Sequence, residues 1–290
     1  MLEESLSSLI INTDGVYVDA TFGRGGHSRE ILKRISSKGM LFSYDLDQEA
    51  KCEAQKIVEP NFNFKADNYR NIHDSFLDNS IDGVLIDCGV SSPQLDDPSR
   101  GFSFKRNGPL DMRFNVEMEV SCADIINGYD ESALAKILWE YGEERESKRI
   151  AKAIVKRRKI KKISETSELS DLICAVKRIR TKKHPATKTF QALRIEVNDE
   201  VNSLKDCLVN LKPKIKHGGR VIIISFHSLE DRIAKLAFKI KTNLAEKKIP
   251  LLDDKKKEKF KVSKVIYPSN MEINNNIRSR SAKMRIIEKI

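Results

Sequence analysis

The sequence predicts an α/β fold in which a Rossmann-like, mostly parallel sheet is interrupted by an inserted helical domain. Three observations carry this prediction. Val16–Ala20 has the apolar alternation of a strand and is followed by a turn with glycine at 23, 25 and 26 and then by a helical pattern. A second apolar run ends at Asp45, 22 positions after Gly23, close to the offset of the acidic residue in nucleotide-binding βαβ units. Helical patterns then separate this region from a later buried strand at Val221–Ser225.

Four apolar segments have the length of buried strands, and each carries an aspartate at or next to its C-terminal end. They are Val16–Ala20, Met40–Tyr44, Phe62–Asp67 and Ile81–Asp87. Helical patterns at 27–35 and 48–58 follow the first two. Because open α/β sheets bind ligands at the carboxyl ends of their strands, we expect the aspartates to lie at a ligand site.

The first turn indicates which ligand this is. Asp19 ends the first strand where dinucleotide-binding motifs continue with small neutral residues. A carboxylate there would repel a pyrophosphate but suits a cationic ligand. S-adenosylmethionine, which carries sulfonium and ammonium groups and no phosphate, therefore fits better than NAD. A glycine-rich turn can also be only a tight turn, and Tyr69 can either stack on an adenine or simply pack.

The stretch 89–113 is long and rich in glycine, proline and charge, which is typical of functional loops at a ligand edge. Phe102 and Phe104 are interleaved there with the cations Arg100, Lys105, Arg106 and Arg113. Single-stranded nucleic acid needs aromatic planes for its bases and positive charges for its phosphates. The alternative is a mobile surface loop.

Residues from about 122 to 183 show helical spacing and predict a helical insertion. A basic run covers 156–162, and further cations follow at Arg178, Arg180, Lys182 and Lys183. Together they favour RNA binding over a merely solvated face.

After the insertion the sheet is predicted to resume. His184–Thr187 marks a turn into one long helix, closed by the glycines at 218 and 219 before the strand Val221–Ser225. Ser228 and Asp231 have capping-box spacing, so the next helix begins there, although His227 could also meet substrate. A lysine-rich crossing occupies 241–261, and the segments 262–267 and 283–288 are expected to form a closing antiparallel strand pair.

Composition indicates which kind of partner, cysteine chemistry and cellular compartment to expect. The net charge of +11 and pI of about 9.3 point to a polyanionic partner, or else to a generally basic proteome. Five scattered cysteines form no Cys-x-x-Cys pair, so neither a zinc site nor a disulfide framework is expected. Without an apolar run of membrane-spanning length or a signal-peptide pattern, the expectation is a cytoplasmic enzyme.

Eight motifs in this order resemble one family across essentially the whole chain, the bacterial 16S rRNA cytosine-N4 methyltransferases called RsmH or MraW. The motifs are DATFGRGGHS (19–28), DCGVSSPQLD (87–96), RGFSF (100–104), GPLDMR (108–113), YGEER (141–145), FQALRI (190–195), SFHSLEDR (225–232) and RSRSAKMR (278–285).

The resemblance implies a Rossmann-like S-adenosylmethionine-dependent methyltransferase sheet in two parts, 1–100 and 188–290, around a helical RNA-binding insertion at 101–187. It implies N4-methylation of a specific cytidine in the decoding centre of 16S rRNA, with the rRNA in the small ribosomal subunit as partner and no DNA, membrane or metal. The implied cofactor-binding residues are Gly25, Gly26, His27, Asp45, Tyr69, Asp87 and Gln94.

Asp87 is also the candidate catalytic residue, since it could accept a hydrogen bond from the cytosine amine, as could the backbone carbonyls of 91–93. Two departures from the family accompany these assignments. Position 69 is usually phenylalanine, and the His-x-Pro-Val segment that usually precedes the residues matching Leu2-Glu3-Glu4 is missing, which suggests a shortened start. The rival functions are a noncatalytic rRNA-binding assembly protein and a DNA amino-methyltransferase.

Overall fold

The chain forms two compact units in a computed structural model that describes residues 1–178, 184–239 and 259–290. The sheet unit consists of Met1–Gly89 and Asn202–Ile290, and the helical unit of Val90–Val201. The helical unit extends beyond the predicted insertion, 101–187, at both ends. Val90 and Leu95 pack against its core on one side, and Phe190, Leu193 and Val197 belong to that core on the other.

The sheet unit confirms the predicted α/β class. Its strand order is β3-β2-β1-β4-β5-β7-β6, and β1 to β5 are parallel while β7 runs antiparallel to both β5 and β6. The strands are β1 (Val16–Asp19), β2 (Met40–Tyr44), β3 (Phe62–Lys65), β4 (Ile81–Asp87), β5 (Ile215–Ser225), β6 (Phe260–Val262) and β7 (Lys283–Lys289). The closing antiparallel pair forms, but β6 overlaps the predicted segment 262–267 only at Val262, and an isolated bridge joins Ile266 to Met284.

Among the described residues, five helices lie wholly within the sheet unit, and a 3-10 helix, Tyr69–Ser75, follows β3. They are α1 (Leu2–Leu9), α2 (Gly26–Leu32), α3 (Gln48–Ala54), α11 (Ser228–Ala237) and α12 (Asn270–Asn275). Leu6, Leu9 and Ile31 from the first two pack with Leu41, Leu85 and Ile222 of the strands. The five cysteines of the chain are free thiols, of which Cys88, Cys122 and Cys207 are buried.

The order of the strands determines where a ligand can bind. In β1, Asp19 pairs with Ser43 of β2 on one side and with Leu85 of β4 on the other. The chain order reverses between β1 and β4, and such a switch point opens a crevice at the carboxyl ends of parallel strands. Asp19, Asp45 and Asp87 therefore lie along one edge of the sheet.

In its described residues, the helical unit contains six complete α-helices and the start of a seventh. The six are α4 (Ser92–Asp96), α5 (Cys122–Gly128), α6 (Glu131–Glu140), α7 (Ser147–Arg158), α8 (Thr166–Val176) and α9 (Thr187–Asn198), and α10 (Glu200–Asn210) leads back to the sheet unit. Apolar positions at helical spacing, such as Leu134, Leu138 and Ile150, are fully buried in one common core.

Three local predictions about the return to the sheet were wrong. The expected long helix is two helices, because Asp199 adopts a left-handed conformation (φ +49°) between α9 and α10. Gly218 and Gly219 do not cap a helix but lie inside β5, which begins at Ile215 and pairs there with Ile81. The capping box of α11 uses His227 and Glu230, one residue earlier than predicted.

Candidate functional site

The glycine turn after β1 is shaped by two residues with positive φ. Gly23 has φ +55° and Gly25 has φ +73°, a region that side chains with a Cβ rarely adopt. A Cβ at Gly25 would lie 2.7 Å from the ring of Phe22, whereas a Cβ at Gly26 would meet no atom within 4 Å. Gly26 thus leaves open space at the start of α2, which a bound molecule could fill.

Asp45 ties this turn to the end of β2. Its Oδ2 accepts the N–H of Gly23 at 2.7 Å, and its Oδ1 accepts the N–H of Asp47 at 2.9 Å. Burial raises the pKa of Asp45 to about 6, against the effect of these two bonds. Each carboxylate oxygen keeps a second lone pair, so Asp45 can still accept bonds from the hydroxyls of a ribose.

Asp19 holds the glycine turn in place through hydrogen bonds. It is fully buried, and its carboxylate accepts the hydroxyl of Ser28 at 2.6 Å and the N–H of Thr21 at 3.2 Å. Burial raises the pKa of Asp19 to about 6. The carboxylate therefore holds the backbone of the turn in place, and any effect on a cationic ligand acts through its field rather than by contact.

Asp87, at the end of β4, has an acceptor atom that nothing in the described structure uses. Its Oδ1 is buried and has no hydrogen-bond partner, while Oδ2 lies 4.0 Å from Nδ1 of His27. Burial raises the pKa of Asp87 to about 6, although His27 opposes the shift, and burial lowers the pKa of His27. A buried acceptor without a donor is costly, so this carboxylate fits a ligand that brings an N–H or O–H.

The side chains of Thr21 and Glu230 hold backbone N–H groups at the ends of β4 and β5, and no residue pattern predicted either role. The Thr21 hydroxyl accepts the N–H of Asp87 at 2.8 Å, a contact across 66 residues that joins the ends of β1 and β4. Glu230 is buried and accepts the N–H of Phe226 at 2.8 Å. Both contacts join segments that meet only in the folded chain or depend on side-chain direction, which residue patterns do not report.

His227 serves as a helix cap. Its Nδ1 accepts the N–H of Glu230 at 3.4 Å, and its Nε2 lies 2.9 Å from Oε1 of the same residue. Nε2 is buried and makes no hydrogen bond within the described residues, so the capping role is established for Nδ1, while contact of His227 with substrate stays a prediction.

The sheet unit brings six of the seven predicted cofactor residues to one edge. Tyr69 begins the 3-10 turn that follows β3, on the far side of β2 from the glycine turn. Gln94 lies in the helical unit, where its Oε1 accepts the N–H of Ser91 at 2.8 Å within the capping box of α4. The cofactor contacts of all seven residues remain predictions.

The residues of the helical unit predicted to contact nucleic acid differ in their burial. Phe102 is buried in the core, stacked on Phe114 with ring centroids 5.6 Å apart, so its expected role as a base-stacking platform is wrong. Phe104 is only half-buried and stacks on His184 at 4.3 Å. Arg180, Lys182, Lys183 and most of the lysine-rich crossing lie outside the described residues.

The described ranges contain neither a cluster of metal ligands nor a membrane-spanning helix. Within 1–178, 184–239 and 259–290, no group of three or more His, Cys, Asp or Glu side chains could hold a metal ion. No helix in these ranges combines the length and apolar character needed to cross a membrane.

Comparisons with known proteins give one consistent family. A model of the MraW methylase family matches residues 1–290. The chain is 47% identical over 305 residues to ribosomal RNA small subunit methyltransferase H of Caldicellulosiruptor saccharolyticus, covering 100% of this chain and 98% of the relative. The proteins of the same name from Legionella pneumophila (strain Paris) and Coxiella burnetii (strain Dugway 5J108-111) are 44% and 42% identical, each covering 100% of this chain and 97% of the relative.

Solved structures resemble the chain only distantly. An rRNA methylase from Streptococcus thermophilus is 10% identical with a TM-score of 0.39, covering 100% of this chain and 93% of that one. An S-adenosylmethionine-dependent O-methyltransferase from Thermotoga maritima is 9% identical with a TM-score of 0.42, covering 100% and 64%.

Proposed function

The chain belongs to the MraW methylase family, and from that membership we propose that it transfers a methyl group from S-adenosylmethionine to N4 of a specific cytidine in the decoding centre of 16S rRNA. The observation that carries the proposal is the buried, unpartnered Oδ1 of Asp87 at the switch point of the sheet. An rRNA substrate would place the enzyme in the cytoplasm, with the small ribosomal subunit as its partner.

The described residues fit this cofactor. Gly26 offers space at the start of α2, and Asp45 offers two partly used oxygens for ribose hydroxyls. The buried carboxylates of Asp19 and Asp87 supply negative charge, which favours a cation. When bound, S-adenosylmethionine would supply a methyl group activated by a positively charged sulfur.

Asp87 is proposed to hold the target nitrogen. The lone pair of the cytosine amine is delocalised into the ring, so the amine must be held within attack distance and have its hydrogens engaged. Oδ1 of Asp87 is a free acceptor for such a hydrogen bond. No strong base is needed before the nitrogen attacks, because its proton becomes acidic once the new N–C bond forms. A carboxylate with a pKa of about 6 can then accept that proton.

Methylation of rRNA tests the proposal directly. Small subunits from a strain lacking this gene are incubated with the protein and labelled cofactor, and the 16S rRNA is digested and analysed by mass spectrometry. N4-methylcytidine at one decoding-centre position is the expected product. Label in DNA instead would favour a DNA amino-methyltransferase. No label, together with no cofactor binding by calorimetry, would favour a noncatalytic rRNA-binding protein.

The variant Asp87→Asn separates two roles for this residue. If Asp87 holds the amine, kcat on subunits falls by more than cofactor affinity does. Equal losses would limit Asp87 to the cofactor and leave the amine to another acceptor, such as the carbonyls of 91–93.

A further inference from the structure

Helix α7 carries an excess of positive charge that the described residues balance only in part. Its sequence, Ser147–Arg158, contains six cationic residues and no acidic one. Lys148, Lys152 and Lys156, together with Lys159 at the helical C-cap, are spaced by four, four and three residues. That spacing aligns them on one face of the helix, and all four are exposed. We call these four residues the lysine line.

The opposite face of α7 fixes the direction of the lysine line. Ile150, Ala151 and Ile154 are fully buried in the core of the helical unit. The helix is therefore anchored by its apolar stripe, and the lysine line faces away from the core of its own unit.

The arginines of the same helix have partners within the helical unit, and the lysines do not. Arg149 pairs with Glu146, Arg157 lies 3.8 Å from Glu168, and Arg158 donates to the carbonyl of Ile126 at 2.7 Å. None of the four lysine side chains makes a hydrogen bond or ion pair to any residue that the structure describes. Within the basic run 156–162, the two arginines thus have partners, Lys161 pairs with Glu168 at 3.0 Å, and Lys156 and Lys159 have no partner among the described residues.

The stability of the helix accounts for only part of the lysine line, since the helix dipole favours cations at Lys156 in the last turn and Lys159 at the C-cap but not at Lys148 or Lys152. Like charges four positions apart repel one another on a helix surface. Lys148 also lies in the first turn, at the positive end of the helix dipole, where an acidic residue would be favoured. The neighbouring α6 and α8 carry acidic residues in their first turns, Glu131 and Glu168.

We propose that the lysine line binds the phosphate backbone of the RNA substrate. Four-residue spacing places successive lysines about 6 Å apart along the helix axis, so each ammonium can reach a different phosphate of one strand. Lysine is a point charge on a flexible stem, which suits contacts that position a backbone without reading bases. The identity of the ligand as RNA rests on the function proposed above.

The test compares two fourfold variants, one with the four lysines changed to glutamine and one with them changed to arginine. The readouts are the dissociation constant for 16S rRNA at several salt concentrations, KM and kcat on small subunits, and cofactor affinity by calorimetry. A control removes equal charge at four exposed lysines without ion pairs elsewhere: Lys38, Lys51, Lys136 and Lys205, each to glutamine.

For the glutamine variant, we expect the magnitude of the slope of log affinity against log salt to fall by about 3. Each of the four lost phosphate contacts contributes about 0.7–0.9 to that slope. KM for subunits should rise on the order of tenfold or more at low salt, while kcat at saturation and cofactor affinity stay unchanged. The arginine variant and the control should keep the slope and KM of the unmodified protein, since they retain the charge of the lysine line.

Several outcomes would overturn the inference. An unchanged salt slope in the glutamine variant would show that the lysine line does not touch phosphate. An equal loss in the control would show only a general charge effect. Failure of the proposed function is distinguishable, because the unmodified protein would then bind rRNA without methylating it, and the binding comparison would still decide about the lysine line.

Discussion

Replacing glycine by alanine at positions 25 and 26 separates the shape of the turn from its use as a cofactor cradle. At position 25 the backbone is left-handed, and alanine would have to adopt this conformation, which costs about 1–2 kcal/mol for a residue with a Cβ. Its methyl group would also approach the Phe22 ring to 2.7 Å, and that ring is buried between Phe62 and Phe64. Overpacking of this kind costs about 1–3 kcal/mol.

Gly25→Ala should therefore lower the free energy of unfolding by about 2–5 kcal/mol, the sum of those two costs. In a protein of this size each kcal/mol corresponds to a fall in Tm of roughly 2–4 °C, so Tm should fall by at least about 4 °C. Gly26→Ala has neither cost, because Gly26 lacks a positive φ and its Cβ would meet open space. Its stability should change by less than about 1 kcal/mol.

Cofactor affinity, unlike stability, should respond to Gly26→Ala. The methyl group of Gly26→Ala projects into the space assigned to S-adenosylmethionine, so affinity for S-adenosylhomocysteine, measured by calorimetry, should fall at least tenfold with Tm unchanged. The reasoning about the cradle is refuted if Gly26→Ala binds like the unmodified protein. The reasoning about strain is refuted if Gly25→Ala melts at the unmodified temperature.

Three other predictions concern carboxyl groups. Asp45→Asn places an amide donor against the N–H of either Gly23 or Asp47, so cofactor affinity by calorimetry should fall on the order of 10- to 100-fold, and an unchanged affinity would remove Asp45 from the site. Because burial raises the pKa of Asp87 to about 6, as it does for Asp19 and Asp45, protonation of these carboxylates below that pH removes negative charge, so affinity for the cationic cofactor should weaken from pH 7.5 to pH 5.5. Flat affinity across that range, or binding without proton release, would contradict this assignment. Glu144→Gln leaves the buried ammonium of Lys177 without the carboxylate 2.8 Å away, so urea unfolding should show a loss of about 3–5 kcal/mol, with cofactor affinity preserved in molecules that remain folded. A loss below about 1 kcal/mol would show that water reaches the pair.

Much of the sheet edge along which Asp19, Asp45 and Asp87 lie could be predicted, because the sequence patterns that indicate it are local. Strands such as β4 consist of almost uninterrupted apolar residues, and parallel strands place their C-terminal ends at one edge. The glycines at 23 and 25 are required by positive φ within the turn itself. Asp45 follows its strand at an offset determined by the length of a βαβ unit.

The second half of the chain was harder to predict because its conformations depend on distant contacts. The helix after His184 breaks at Asp199, next to Asn198, whose side chain accepts the N–H of Phe114 and donates to the carbonyl of Met112, both at 2.7 Å. Gly218 lies in a strand because β5 pairs with β4 through Ile81 and Ile215. No pattern within either segment reports those partners.

The sequence by itself determined the class of the sheet, the glycine turn and the aspartates at the strand ends, since these follow from backbone periodicity and conformational preference over a few residues. Only the tertiary structure decided which polar and aromatic side chains are free to act. It buried Phe102, used His227 as a cap, left Oδ1 of Asp87 without a donor and divided the cations of α7 into partnered arginines and unpartnered lysines. The physical reason is that burial and charge pairing depend on atoms brought together from distant parts of the chain.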